Sequence, residues 1–356
     1  MELMNNSLSV LQINISRIVQ NYLQVKSSVG SASVSAVMKA DCYGLGAEEI
    51  APELHKVGCT EFYVATIDEA IALRSVVPGV KIYILSGVNK GEEYYFLKHG
   101  VIPVLNNFEQ IERWKECSKN LDEKLDASLQ FDIGMTRLGV DLEKLDDAIK
   151  SVEAFADIDY ILGHLSNATS DQKHDKKQLS DFKQIQTKYP QFKYSIANSG
   201  VLSIGGKYIC DQVRPGIFLY NNNSNGGEVV TLTSEIIQII QAKKGRYVGY
   251  GCTHRTKVDT IIGTVPVGYA DGYPFALSNK GFCYVEGQKV PVVGRVNMDY
   301  IMLDITSLPQ NLQNVGQKVT LIGEKVNIDK VADLAGTIPY EILCSLSKRY
   351  KREYIR

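Results

Sequence analysis

A lysine stands where a buried strand should end. In "SVSAVMKADCYGLG" (residues 33–46) the apolar run Val34, Ala36, Val37 and Met38 leads straight into Lys39. A lysine there either snorkels to solvent or sits where low dielectric makes its amine chemically useful. Other polar residues end β-rich runs in the same way. Arg137 follows in "FDIGMTRLGV", His164 in "DYILGH", Asn198 and Ser199 in "ANSGVL", and Arg214 in "VRPGIFLY". Each alone has an ordinary reading as a surface or structural residue. Together they form a mostly cationic set that suits an anion, with the Ser199 hydroxyl and the amides of Gly216 and Ile217 as further donors. A strand-end lysine facing a phosphate seat points to pyridoxal phosphate held as a Schiff base. A dinucleotide reading of "GLGAEE" (residues 44–49) fails, because Glu49 fills the third glycine position and Glu48 stands beside it.

The elements that must position these groups alternate. From Val34 to about Tyr220, eight short β-rich runs are separated by amphipathic stretches such as "AEEIAPELHKVG" and "FEQIERWKECSKN". Eight is the number that closes a (β/α)8 barrel, whose chemistry sits at the C-terminal ends of its strands. An open doubly wound sheet is the competing arrangement. Past Tyr220 the texture changes through the Gly/Asn-rich "NNNSNGGE" to β-rich segments, among them "VVTLTSEIIQII" and a hairpin pattern around Glu286-Gly287. Helical patterns follow in "NIDKVADLAG" and "PYEILCSLS". The expected organisation is an N-terminal TIM-like α/β barrel over residues 8–227 and a mainly β domain over residues 228–356. The strand 8–14 is a candidate to join the latter.

Bulk properties narrow the function. The 356 residues are 44% hydrophobic and 22% charged with net charge −1, so no basic field favours nucleic acid. No apolar run approaches the ~20 residues of a membrane helix, and the start "MELMNNSLSVLQINIS" lacks the pattern of an export signal. Seven cysteines without a CxxC pair and five scattered histidines suit reduced thiols in a cytoplasmic protein without a metal centre.

Seven ordered blocks, "AVMKADCYGLG", "DIGMTRLG", "ANSG", "VRPGIFLY", "VGYG", "PVGYADGYP" and "VVGRVNMDYIMLDIT", resemble the signatures of alanine racemases. The resemblance runs from about residue 10 to the C-terminus. It implies a fold-type III pyridoxal phosphate enzyme that interconverts L-alanine and D-alanine, supplies D-alanine for peptidoglycan, and works as a homodimer with shared active sites. By that resemblance Lys39 is the base on one face of the substrate and Tyr250, from the partner chain, the base on the other. His164 matches a residue that hydrogen-bonds this tyrosine and links toward Arg214, which faces the pyridine nitrogen. Tyr43, Ser199, Gly216 and Ile217 match phosphate contacts. Arg137 and the Met298 amide match groups holding the substrate carboxylate, with Tyr269 and Asp299 lining the pocket. Gln130 replaces a lysine of many relatives, leaving a neutral amide to orient Arg137. Ser195 replaces a histidine that supports the arginine, Lys348 a phosphate-binding tyrosine, and Asp41 and Leu45 alter the lysine loop. Serine or broad-specificity racemisation, a decarboxylase of the same fold type and a non-catalytic pyridoxal phosphate carrier are the alternatives.

Overall fold

A computed structural model describes residues 7–119, 121, 124–167, 172–203, 208–222 and 227–356. The chain divides into two compact units. One comprises Val19–Cys42 and Gly46–Tyr220; the other comprises Met1–Ile18, Tyr43–Leu45 and Asn221–Arg356. Part of the Gly/Asn-rich junction, residues 223–226, lies outside the described residues.

The first unit is a parallel barrel. Its first strand comes in two pieces, Ser33–Val34 and Ala36–Val37. The second to eighth strands are Glu61–Val64, Lys81–Ile84, Ile102–Leu105, Leu125–Asp132, Ala156–Leu162, Tyr194–Asn198 and Gln212–Arg214. Ser33 and Val34 pair with Gln212 and Val213, while Ala36 and Val37 pair with Phe62 and Tyr63, so the first strand joins the last to the second. Nine segments thus make eight strands in a ring, as the alternation of the sequence predicts. The strands are apolar on both faces because helices cover the outside; Ile102, Pro103, Val104 and Leu105 are all buried. Covering helices follow the 3.6-residue period, and Ala47–Lys56 turns Ile50, Ala51 and Leu54 inward. Truncating Leu54 to alanine would cost about 2–5 kcal/mol. Ile67–Val76 opens with a capping box between Thr66 and Glu69.

The barrel interior is not uniformly apolar. Tyr63 and Tyr83 stack with ring centroids 4.6 Å apart, and the Tyr63 hydroxyl donates to Gln212 Oε1 at 2.8 Å. Gln212 Nε2 donates to Glu61 Oε2 at 2.9 Å, and Tyr160 donates to Glu61 Oε1 at 3.0 Å. Tyr83 donates to Asp159 at 3.1 Å, and Lys81 pairs with that carboxylate at 2.7 Å. The Tyr63, Tyr83 and Tyr160 hydroxyls and the Gln212 amide thus all have partners, which is the condition for burying them without penalty.

The second unit is mainly β. Its six-stranded sheet runs in the order Gln288–Pro291, Phe282–Val285, Lys318–Ile322, Val230–Glu235, Val10–Asn14, Lys351–Ile355. Val10–Asn14 lies antiparallel to Val230–Glu235 and parallel to the C-terminal strand. The hairpin forms as its sequence predicts, with Glu286 and Gly287 at φ 44° and 77°, the left-handed pair of a type I′ turn. "VVTLTSEIIQII" becomes two strands rather than one, because Gln238–Ala242 leaves for a three-stranded sheet with Thr260–Val265 and Ile301–Asp304. A two-residue ribbon, Tyr247–Val248 with His254–Arg255, has too little pattern to be legible in the sequence. Helices Ile328–Ala335 and Pro339–Ser345 complete the unit. No helix among the described residues is long and apolar enough to cross a membrane.

Candidate active site

Within the barrel unit, the strand-end residues converge at the C-terminal mouth. The imidazole of His164 reports this convergence. Burial, then the positive charges of Arg214, Arg137 and Lys39, push its pKa down to about 3, so the ring is neutral. The charges of those three cations thus act on one neutral ring, and among the described residues no carboxylate is counted among the charges that shift it.

Arg214, 5% exposed, is the deepest of them. Its Nη2 donates to the Gly163 carbonyl at 2.8 Å, its Nη1 to the Ser195 hydroxyl, and its guanidinium lies 5.8 Å from the centroid of Tyr63. Ser195 in turn donates to the Gln212 carbonyl at 3.0 Å, so it supports the arginine from below. Burial lowers the guanidinium pKa, yet an arginine stays charged because its intrinsic value is so high. Among the described residues no carboxylate pairs with it at salt-bridge distance.

Lys39 begins an unusual turn. Ala40, Asp41, Cys42 and Tyr43 all have left-handed backbone angles, φ between 52° and 58°. Left-handed geometry costs an L-residue roughly 1–2 kcal/mol, so four in succession require firm anchoring. Cys42 N–H donates to the Met38 carbonyl at 2.8 Å and Gly46 N–H to the Asp41 carbonyl at 2.9 Å. The Asp41 carboxylate accepts the Ala47 N–H at 2.9 Å and so holds the first turn of the next helix. At the head of the turn, Ala40 N–H donates to Glu69 Oε1 at 2.7 Å. Tyr43 is buried, its ring 6.0 Å from that of Tyr340, and Leu45 accepts a hydrogen bond from the Tyr354 hydroxyl at 3.0 Å.

Arg137 rides on a loop built by Asp132, whose Oδ1 accepts the N–H groups of Gly134, Met135 and Thr136 at 2.9–3.0 Å. Gly139 closes the loop at φ 117°, where a Cβ would stand 2.5 Å from the Asp132 nitrogen. Gln130 has a role in the loop backbone. Its Nε2 donates to the Leu138 carbonyl at 3.1 Å, fixing the loop backbone while Arg137 itself is exposed. Ser199 Oγ accepts the N–H groups of Gly216 at 2.8 Å and Phe218 at 3.2 Å, joining the loops after the seventh and eighth strands. Asn198 caps the Ser199 turn by accepting Gly200 N–H at 3.0 Å. Ile217 opens the short helix Ile217–Asn221 beside them.

The β unit gathers the remaining residues. Tyr250, 72% exposed, sits in a turn at the end of the small ribbon between Gly249 and Gly251. Both glycines have left-handed φ, and a Cβ on Gly249 would lie 2.7 Å from Met302 Cε, one on Gly251 2.8 Å from Arg295 Cζ. Arg295 and Met302 flank the turn that presents Met298 and Asp299. Tyr269 and Ala270 hydrogen-bond to that turn through the Asn297 and Met298 carbonyls, both at 3.0 Å. Asp299 pairs with Arg349 at 2.8 Å, and Arg349 also reaches Asp271 at 3.2 Å. Lys348, the preceding residue, is exposed. Sequence reasoning missed Arg349 and Glu69. The capping-box spacing Thr66-Ile-Asp-Glu69 is a visible signal for the latter, although not for its bond to Ala40.

Comparisons with known proteins give the family. Residues 13–224 match the family described as "Alanine racemase, N-terminal domain", and residues 229–354 match "Alanine racemase, C-terminal domain". An alanine racemase of Rickettsia canadensis is 38% identical over 98% of this chain and 100% of its own. One of Brucella canis is 36% identical over 97% and 93%. The crystal structure of alanine racemase from Bartonella henselae, with covalently bound pyridoxal phosphate, superposes with a TM-score of 0.92 at 39% identity, covering 98% of this chain and 99% of that one. The biosynthetic enzyme of Pseudomonas aeruginosa gives 0.88 at 29% identity, covering 98% and 99%.

Proposed function

The chain belongs to the alanine racemase family, and from that premise we propose that Lys39 and Tyr250 serve opposite faces of the substrate as L-alanine and D-alanine interconvert. The observation that carries this reading is the placement of Lys39, Arg137 and Arg214 at or just after the C-terminal ends of barrel strands, with all three positive charges acting on the His164 imidazole. Such a set suits an anionic cofactor and an anionic substrate carboxylate together. The donor set fits pyridoxal phosphate: an amine at a strand end, a buried guanidinium with no carboxylate partner among the described residues, and the Ser199 hydroxyl and Ile217 amide on a turn that Gly216 N–H closes by donating to Ser199 Oγ.

When bound, pyridoxal phosphate supplies a conjugated ring that draws electrons from the α-carbon of an amine joined to it. Lys39 would anchor it and carry a proton at Nζ on one face. Arg214 would hold the ring nitrogen with a donor that never gives up its proton, which moderates electron withdrawal and works against side reactions. Ser199, Gly216, Ile217 and Tyr43 would bind the phosphate. Arg137 and the Met298 amide would fix the substrate carboxylate, so the α-hydrogen points at one base or the other. Tyr269 and Asp299 would shape the pocket around them.

Tyr250 needs a partner to act. We assign it to the site of a second copy of this chain, because the β unit leaves Tyr250, Met298 (54%) and Tyr269 (45%) exposed with Phe275 and Tyr300 also on its surface. Aromatic residues and methionine concentrated in this way are what protein interfaces use. The product fits a cytoplasmic enzyme that supplies D-alanine to peptidoglycan synthesis. Racemisation assays with added pyridoxal phosphate on alanine, serine and larger amino acids test the reading. Alanine should turn over fastest, and no interconversion of any amino acid would refute it.

A further inference from the structure

The head of the lysine turn is held by a group that the chemistry described above does not use. Met38 N–H still donates to the Tyr63 carbonyl at 2.7 Å, as the parallel ladder between the first two strands requires. Beyond it the ladder stops, because the Met38 carbonyl accepts Cys42 N–H from the left-handed turn instead. Two N–H groups are left facing each other across the gap, Ala40 after the first strand and Ala65 after the second. The Glu69 carboxylate fills that gap. Oε1 accepts Ala40 N–H at 2.7 Å, and Oε2 accepts Ala65 N–H at 2.8 Å and Thr66 N–H at 3.4 Å.

From this bridge we infer that Glu69 is the positioning residue of Lys39. Its carboxylate replaces the missing rung of the barrel and fixes the peptide plane on which the lysine is mounted. A peptide plane sets the direction in which the preceding side chain leaves the backbone. The four left-handed residues that follow can relax once their first peptide is free, since none of them is glycine. Releasing Ala40 N–H therefore re-aims the amine without touching Arg137 or the Met298 turn, the groups assigned to the substrate carboxylate. Both oxygens are required, because glutamine at this position would turn an NH2 against one of the two amides.

This inference rests on the role proposed for Lys39, and its test separates the two. In the loaded enzyme, Glu69→Gln should lower kcat about tenfold to a hundredfold, the loss expected for one charge-assisted hydrogen bond, with the KM for alanine nearly unchanged. Hydrogen exchange at Ala40 should rise by a comparable factor whether or not the protein racemises anything, so this readout stands if the functional reading falls. Thr66→Ala is the control: it removes the hydroxyl that accepts Glu69 N–H at 3.4 Å and leaves the carboxylate in place. It should lower thermal stability while kcat and Ala40 exchange stay at the parent values. Equal kcat losses in the two variants would overturn the inference, as would parent-like exchange in Glu69→Gln. Should Glu69→Gln fail to fold, exchange in the parent enzyme decides: an Ala40 amide exchanging at the rate of an unstructured peptide refutes the bridge, and strong protection supports it.

Discussion

Lowering the pH should loosen the cofactor-free barrel through His164. Burial and three neighbouring cations hold its folded pKa at about 3, against about 6.5 in an unfolded chain. The folded state keeps the ring neutral while the unfolded chain takes up a proton, so this contribution is fully present above the unfolded value. Below that value stability declines by about 1.4 kcal/mol per pH unit, to a total of about 5 kcal/mol when the folded value is reached. At about pH 5 the loss should be about 2 kcal/mol, a large share of the ~5–15 kcal/mol that holds a domain together. Urea unfolding at about pH 7.5 and about pH 5, compared between the parent and His164→Asn, isolates this one proton. The parent should lose about 2 kcal/mol more than the variant. Superimposable pH profiles would refute the reasoning, and so would a ring titration of His164 near the ordinary histidine range by NMR.

Other outcomes follow from the same geometry. Lys39→Ala should leave no pyridoxyl group on the protein after borohydride treatment; a label at any other lysine would move the anchor elsewhere. Tyr250→Phe should cut kcat/KM by about 10²–10⁴. The cut should be equal in both directions, since enantiomers have equal free energy, while solvent deuterium still enters the α-position of one enantiomer. Exchange lost from both enantiomers alike would argue against two bases on opposite faces. Gly268→Ala would put a Cβ 2.3 Å from the Asn297 and Met298 carbonyls. It should destabilise the β unit by about 1–3 kcal/mol or more and raise the KM for alanine by displacing the Met298 turn. An unchanged melting temperature would contradict that packing.

The barrel was legible because its strands read as near-continuous apolar runs with helical periods between them, and because this fold gathers chemistry at strand ends. Lys39, Arg137, His164 and Arg214 could be picked from spacing alone for that reason. The turn after Lys39 could not. Ala40, Asp41, Cys42 and Tyr43 carry no glycine to announce left-handed backbone, and the anchors come from an element some thirty residues on and from the Asp41 carboxylate. Gln130 shows a second limit: its type does not reveal that its Nε2 donates to the Leu138 carbonyl and so fixes the loop that carries Arg137. The ribbon that presents Tyr250 is two residues long on each side, too short for any alternation to show. Nothing in the type or spacing of Tyr63, Tyr83 and Tyr160 marks them as a polar network, since a sequence does not reveal where a buried hydroxyl finds its partner.

Those tyrosines bear on how such a sequence can drift. Arg214 touches Tyr63, Tyr63 is tied to Gln212, Gln212 to Glu61, and Glu61 to Tyr160. Changing one member alone leaves its neighbour with an unanswered buried donor or acceptor, at about 1–3 kcal/mol. Changing adjacent members together, to apolar groups of similar shape, can be nearly neutral. Variation below the mouth should therefore travel in correlated sets rather than single steps, and the set that includes Tyr63 should be the slowest to change. The floor of the barrel inherits the constraint placed on its rim.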